Sequence, residues 1–361
     1  MVLKRKKKKV GVISAGAWGT AVAKSIAEKG YPVKVWDFME DVVDEINNAH
    51  RNTRYLPEVD LPRNLTASTD LSETAGNTDF LILSTPSLYI LNIVKQLIHI
   101  PSILEGKTTI GVLTKGFIDT DRGPSLIIPA LEDYLPGFYK GKLVYISGPS
   151  HAEEVARRKL TGLIAASENG KNAVKMKNLL SCESLLVYPS LDVTGVQTAA
   201  AVKNVVAIAF GMLDALMDVS DLFGDNSESL LLAAGLNEIQ KLGTALGSKH
   251  PDTFTSIAGV GDLDVTCRSR YGRNRRFGRE IITDRKIQKY KNIEDLISHI
   301  DEIGYLPEGI VASQFAHSLS KMFDIKTPVC NVVYSVLNRE KEPAKALTSM
   351  IRGITGTDFN L

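Results

Sequence analysis

The spacing of hydrophobic residues changes character about halfway along the chain. In the first half, short apolar runs alternate with amphipathic stretches. The runs Val10 to Ile13, Val33 to Asp37, Leu65 to Ser68, Phe80 to Ser84, Thr108 to Leu113, Leu143 to Ser147, Leu163 to Ala166 and Leu185 to Tyr188 predict strands buried on both faces. Between them, helical spacing covers Thr20 to Ala27, Met39 to Ala49, Leu88 to His99, Ser125 to Leu135 and Ala173 to Leu180. Asn52 to Pro57 and Leu61-Pro62 read as a proline-marked loop. From about Val193 the strand signals stop. Thr198 to Met217, Ser229 to Gly243, Asn292 to Ile303, Ile310 to Lys321 and Pro328 to Leu337 all carry helical spacing. The pattern predicts an α/β Rossmann-like domain over 1–192, with a mostly parallel doubly wound sheet. An all-α domain follows over 193–361.

The first strand runs into Ser14-Ala15-Gly16-Ala17-Trp18-Gly19, a tight turn opening a helix that Gly30 can cap. A dinucleotide-binding turn wants glycine at three places. Gly16 and Gly19 supply two, and Ser14 stands at the first, where φ < 0 geometry is expected of it. Gly16 lets a pyrophosphate approach the backbone, Gly19 lets the helix pack on the strand, and the helix-start amides face the phosphates. Asp37 ends the second strand, where a carboxylate on a ribose 2′-OH is expected. Strands ending at Ser84, Leu113 and Ser147 direct Pro86, Lys115 and Gly148 toward the same crevice, because ligands in such sheets sit beyond the carboxyl ends of the strands.

Composition is that of an ordinary globular protein: 361 residues, 44% hydrophobic and 23% charged. The three cysteines, Cys182, Cys267 and Cys330, are far apart, lack metal spacing and point to a reducing compartment. No apolar run is read as approaching the roughly 20 residues that span a bilayer. The net charge of +2 argues against nucleic acid as a whole-surface partner. The basic run Lys4 to Lys9 reads as a solvated tail, with no signal-type apolar core after it. These features predict a cytoplasmic protein with no membrane association and no metal.

Lys203 lies in an apolar stretch, Thr198 to Ala209, that predicts a buried helix. A lysine there either snorkels from a helix edge or has a depressed pKa and exchanges protons with a substrate oxygen. Asp262 follows the glycines of Ala258 to Gly261, as a helix N-cap, a partner for a cation, or both. The basic stretch Arg268 to Gly278 reads as a solvated loop, an RNA contact or a compact phosphate site. Arginine forks, Asn274 and helix-start amides suit the last of these.

With Ala15 to Ala21, Asn52 to Pro57, Lys115-Gly116, Ser147 to Val155, Lys203-Asn204, Gly224 to Asn226, Ala258 to Cys267 and Arg273-Asn274 in this order, the sequence resembles the NAD(P)-dependent glycerol-3-phosphate dehydrogenases, particularly the bacterial type. The similarity runs from about Lys9 to Leu337. It implies interconversion of dihydroxyacetone phosphate and sn-glycerol 3-phosphate, feeding phospholipid synthesis, by a protein that is often a homodimer. By position it implies Lys203 as catalytic proton donor or acceptor, with Lys115 and Asp262 holding the substrate and supporting it. Asn204 and Thr266 join the same network. Gly148 and Ser150 line the substrate pocket, and Gly272, Arg273 and Asn274 take the phosphate. The cofactor positions implied are Ser14, Ala15, Gly16, Ala17, Trp18, Gly19, Asp37, Phe38, Pro86, Tyr89, Lys115, Ala152, Arg273, Leu306 and Glu308. Departures from the family pattern are Ser14 for glycine, Gly272 for serine, His151 for phenylalanine, Asp37-Phe38 for an arginine-type residue, and a longer Asp218 to Phe223.

A ketone oxygen gaining charge near two ammonium groups, Lys203 and Lys115, is stabilised by both and takes a proton from one. NAD(H) is favoured, with NADP(H) left open, because Asp37 is expected to repel a 2′-phosphate. The rival readings are a 3-hydroxyacid dehydrogenase of the same architecture and a non-catalytic dinucleotide-binding protein.

Overall fold

The computed structural model describes residues 7–269, 272–354 and 356. Of the basic run, Lys4 to Lys6 lie outside the described residues, as do Arg270 and Tyr271 of the arginine-rich stretch. The end of the run belongs to the fold. Lys8 stands over the Phe80 ring at 5.0 Å, and the Lys9 amide donates to Asp79 Oδ2 at 2.8 Å. The chain divides into two compact units, 1–115 with 127–193 and 116–126 with 194–361.

The first unit is built on strands β1 (Val10–Ile13), β2 (Val33–Trp36), β3 (Leu65–Ser68), β4 (Phe80–Leu83), β5 (Thr109–Val112), β6 (Val144–Ser147), β7 (Thr161–Ala166) and β8 (Leu185–Ser190). They form one eight-stranded sheet in the order β8-β7-β6-β5-β4-β1-β2-β3. Only β6 and β7 pair antiparallel. The central strands β1 and β4 are buried at every position, as expected of strands covered on both faces. Helices α1 (Ala17–Glu28), α2 (Glu40–Ala49), α3 (Ser87–Leu97) and α4 (Gly170–Leu180) cover the sheet. Strand order reverses beside β1, with β2 on one side and β4 on the other, which marks the ligand crevice of a doubly wound sheet.

Two segments expected as loop or helix contain hairpin strands instead. The proline-marked segment is a hairpin, Arg51–Asn52 with Leu56–Asp60, rather than a plain loop. Pro57 fits because the hairpin is a separate two-stranded sheet whose outer positions need no ladder donor. The start of the helix expected from Ser125 is instead strand Gly123–Leu126, paired with Phe117–Thr120, and the helix begins at Ile127. This hairpin belongs to the second unit, where Phe117 meets Phe315 edge-on at 5.8 Å. The first unit is therefore interrupted at 116–126, and the second takes up at Thr194.

The second unit is helical around α5 (Val193–Met217), joined by α6 (Asp225–Ala245), α7 (Asp262–Arg268), α8 (Arg273–Thr283), α9 (Gly309–Met322), α10 (Pro328–Leu337) and α11 (Pro343–Arg352). At 25 residues, α5 is long and apolar enough to cross a membrane, contrary to the reading that no run approaches that length. It is 89% buried across that apolar window, so its apolar surface is the core of the unit. The arginine-rich stretch is mostly the helix α8 and not a loop. It lies against α5 with backbones touching: a Cβ on Gly211 would fall 1.8 Å from the Arg275 carbonyl oxygen, and one on Gly278 would fall 2.0 Å from that of Ile208.

Candidate functional site

The carboxyl ends of β1, β4, β5 and β6 are stitched together by side chains. Ser84, after β4, donates its hydroxyl to the Ile13 and Ser14 carbonyls at 2.8 and 3.1 Å. Thr114, after β5, donates to Thr85 O at 2.7 Å. Lys115 Nζ donates to Gly148 O, after β6, at 3.3 Å, and Ser150 Oγ donates to the same oxygen at 2.9 Å. Within the first unit, Pro86, Lys115, Gly148 and Ser150 thus gather along the edge that begins at Ser14.

The turn has the form a dinucleotide needs. A Cβ on Gly16 would meet only Ser14 Oγ, at 3.6 Å, whereas one on Gly19 would collide with Ser14 O at 2.2 Å. The first position is open to a ligand and the second is closed by helix packing. Helix α1 starts at Ala17 with no side-chain cap and no acid in its first turn, leaving its amides and positive dipole end for an anion. Helix α3 likewise starts uncapped after Pro86. Trp18 Nε1 is buried with no hydrogen-bond partner. Tyr89 is half-exposed and the Phe38 ring is 75% exposed at the end of β2. These residues fit a dinucleotide. Ala152 is buried in the core of the first unit and offers only backbone.

Two expectations about this turn are corrected. Ser14 has φ +86, in the left-handed region, and not the φ < 0 geometry expected of it. The Gly16 amide points at its hydroxyl at a long 3.4 Å. Asp37 is 3% exposed, and its carboxylate accepts from the Ala15 amide at 2.8 Å and the Met39 amide at 3.2 Å. Burial raises its pKa against the pull of these amides. It presents no exposed charge to repel a 2′-phosphate.

In the second unit, Lys203 and Asp262 are 5% and 1% exposed and form an ion pair. Lys203 Nζ also donates to Thr266 Oγ1 at 2.8 Å, and Thr266 Oγ1 donates to the Asp262 carbonyl at 2.6 Å. The lysine does not snorkel. Asp262 is the first residue of α7, with Gly261 as N-cap, so its carboxylate is committed to the lysine and not to capping. A single turn of π-helix, Ile257–Gly261, delivers it there, a wide turn often found at functional sites. The next residue on α5, Asn204, is buried with its amide nitrogen unpartnered. Unpaired buried donors cost free energy, so an amide left this way is one that a ligand can satisfy. Cys267 lies in the same neighbourhood, with burial pushing its thiol pKa up, which removes it as a nucleophile.

The arginines of the basic stretch separate sharply. Arg268 pairs with Asp264 and Glu228, Arg275 with Asp214, and Arg276 with Glu280. Among the described residues, Arg273 is the arginine of this stretch that holds no acidic partner, and it is exposed at the start of α8. Gly272 is the N-cap of that helix, with no side-chain cap. Asn274 is buried; its carboxamide oxygen accepts from the Gly309 amide at 2.9 Å, leaving its NH₂ group free. That bond ties α8 to the start of α9, beside Leu306 and the N-cap residue Glu308. A helix whose other arginines are paired with acids, leaving Arg273 uncommitted at its amino end, fits a single phosphate far better than a nucleic-acid surface. No cluster of three or more His, Cys, Asp or Glu suited to a metal occurs among the described residues.

Two family models match the chain: the N-terminus of NAD-dependent glycerol-3-phosphate dehydrogenase over residues 9–173 and its C-terminus over residues 192–348. The chain belongs to the NAD-dependent glycerol-3-phosphate dehydrogenase family. It is 52% identical over 353 residues to the glycerol-3-phosphate dehydrogenase [NAD(P)+] of Treponema denticola, covering 96% of this chain and 99% of that one. It is 35% identical to the enzyme of the same name from Bacillus subtilis, over 96% of this chain and 95% of the relative. The crystal structure of glycerol-3-phosphate dehydrogenase from Coxiella burnetii is similar at 30% identity with a TM-score of 0.82, covering 96% of this chain and 99% of that one.

Proposed function

We propose that this chain interconverts dihydroxyacetone phosphate and sn-glycerol 3-phosphate with NAD(P)(H), with NAD(H) preferred. The observation that carries the reading is the buried Lys203–Asp262–Thr266 cluster followed on α5 by the unpartnered amide of Asn204. An ammonium held by a carboxylate and a hydroxyl keeps its position before substrate arrives, so little reorganisation accompanies charge development. A nicotinamide cofactor held at the Ser14 to Gly19 turn would supply or accept the hydride. Lys203 then stabilises the growing charge on the ketone oxygen and donates its proton there. Asp262 keeps the lysine charged in an apolar helix, and Asn204 donates to the substrate. In this reading Lys115 is a second cation for the ketone oxygen, and Gly148 and Ser150 shape the surroundings of Lys115. Arg273, the Asn274 NH₂ group and the amides after Gly272 hold the phosphate, whose binding fixes the ketone for reaction.

The cofactor reading rests on Ser14 to Gly19 for the pyrophosphate, with Phe38, Pro86, Tyr89, Ala152, Leu306 and Glu308 around it. The preference for NAD(H) is supported by the stretch Asp37 to Glu40, which has no basic side chain to take a 2′-phosphate. A homodimer in the cytoplasm is consistent with the family. Purified protein given NADH or NADPH with dihydroxyacetone phosphate, or with 3-oxo acids, tests the reading. Turnover of the phosphate substrate, with kcat/KM higher for NADH, is expected. Turnover of 3-oxo acids alone, or NADH binding without turnover, contradicts it.

A further inference from the structure

We propose that Asp37 and Asn52 form a clamp that holds Ser14 in a left-handed backbone, so that the phosphate-binding turn keeps its shape without glycine at its first position. The inference rests on reading that turn as the cofactor site. An L residue adopts φ +86 only when its surroundings over-determine it. Here they do. The Ser14 amide donates to Trp36 O at 2.9 Å, and its carbonyl accepts from Ser84 Oγ at 3.1 Å. The next peptide is held at both ends. The Ala15 amide donates to Asp37 Oδ2 at 2.8 Å. The Ala15 carbonyl accepts from Asn52 Nδ2 at 2.7 Å and from Thr20 Oγ1 at 2.8 Å. Asn52 Nδ2 also donates to Thr20 Oγ1 at 2.9 Å, which closes the ring. Asp37, Asn52 and Thr20 are all buried, so these bonds exchange little with water. Rotating Ser14 into the ordinary φ < 0 region would turn the Ala15 amide off the carboxylate and cost the buried acid its shortest backbone hydrogen bond. Asp37 is thus a positioning residue acting through the turn, and not a ligand that tells one ribose from another.

A double-mutant cycle on the full chain tests this, using Asp37→Ala, Ser14→Gly and the pair. Two readouts are the thermal midpoint without cofactor and the steady-state constants for NADH and NADPH. Against the Ser14 parent, Asp37→Ala is expected to lower the midpoint by several degrees and to raise KM for NADH about tenfold, with kcat changing less than KM. Against the Ser14→Gly parent the same change should cost about threefold or less in KM, with a smaller fall in midpoint, since glycine needs no clamp. The ratio of NADH to NADPH efficiency should stay constant. Equal losses in both parents overturn the clamp, as does a loss confined to NADH, which would make Asp37 a ribose ligand. Coupling in the midpoint without any NADH binding would uphold the clamp and reject the cofactor reading. Should Asp37→Ala fold only together with Ser14→Gly, that rescue supports the proposal. Should neither fold, Asn52→Ala replaces it in the same cycle under the same criteria.

Discussion

Lys203 was legible because physics forbids it to be casual: an ionised amine in an apolar helix must be paired or must shift its charge. The pairing with Asp262 and Thr266 joins residues far apart in the chain, and the glycine run before Asp262 was the local sign of the turn that brings it there. Ser14 and Asp37 were misread for one reason. Their backbone angles and burial depend on each other, and neither is visible one residue at a time. The arginine-rich stretch was ambiguous until its partners were known, because sequence lists charges without saying which are neutralised. With Arg268, Arg275 and Arg276 paired, Arg273 is the arginine proposed to hold the phosphate. Arg273→Ala is expected to raise KM for dihydroxyacetone phosphate by about 10- to 100-fold, the worth of a charge-assisted hydrogen bond. Arg276→Ala should raise it by less than about threefold. Steady-state kinetics on both variants check the contrast, and equal effects would reassign the phosphate.

At the level of elements, period alone located the strands of the sheet and the long helices, because burial on one or both faces writes itself into spacing. The hairpins did not show. Phe117–Thr120 with Gly123–Leu126 packs on Phe315, far along the chain, and its local turn signal, Asp121-Arg122 before Gly123-Pro124, was absorbed into the expected helix start. Helix α8 was hidden by its charge: Phe277 and Ile281 are its buried apolar side chains, and at Gly278 its backbone packs directly on α5. Helix contacts also set a pH dependence. Glu238 of α6 is fully buried and accepts the Val329 and Cys330 amides at the start of α10, at 2.6 and 2.9 Å. Burial outweighs those amides and pushes its pKa up from 4.5 to about 7. A carboxyl whose pKa is raised in the folded state favours folding when protonated. That stability is fully present below about pH 4.5 and is lost as pH rises through about 7, by roughly 3 kcal/mol in all. Thermal midpoints measured from pH 5 to 8 should therefore contain a falling component that Glu238→Gln removes. An unchanged pH slope in that variant would contradict the assignment.

For the whole molecule, alternating strands and helices followed by helices alone announced two units and their approximate meeting point. The excursion of 116–126 into the second unit left no mark, because its evidence is a set of distant contacts. Helix α5 shows the opposite hazard: its length and composition suit a membrane, and only its burial inside the helical unit says otherwise. The same burial encloses Lys203 and its Asp262 partner, and Lys203 is the proposed proton donor. The most direct test is the dihydroxyacetone phosphate-dependent oxidation of NADH by the Lys203→Ala variant beside the parent, with NADH binding measured separately. In that variant kcat is expected to fall by about 10²- to 10⁴-fold, as for loss of a positioned acid, while NADH binding is retained. A kcat within about threefold of the parent would contradict the proposed role of Lys203.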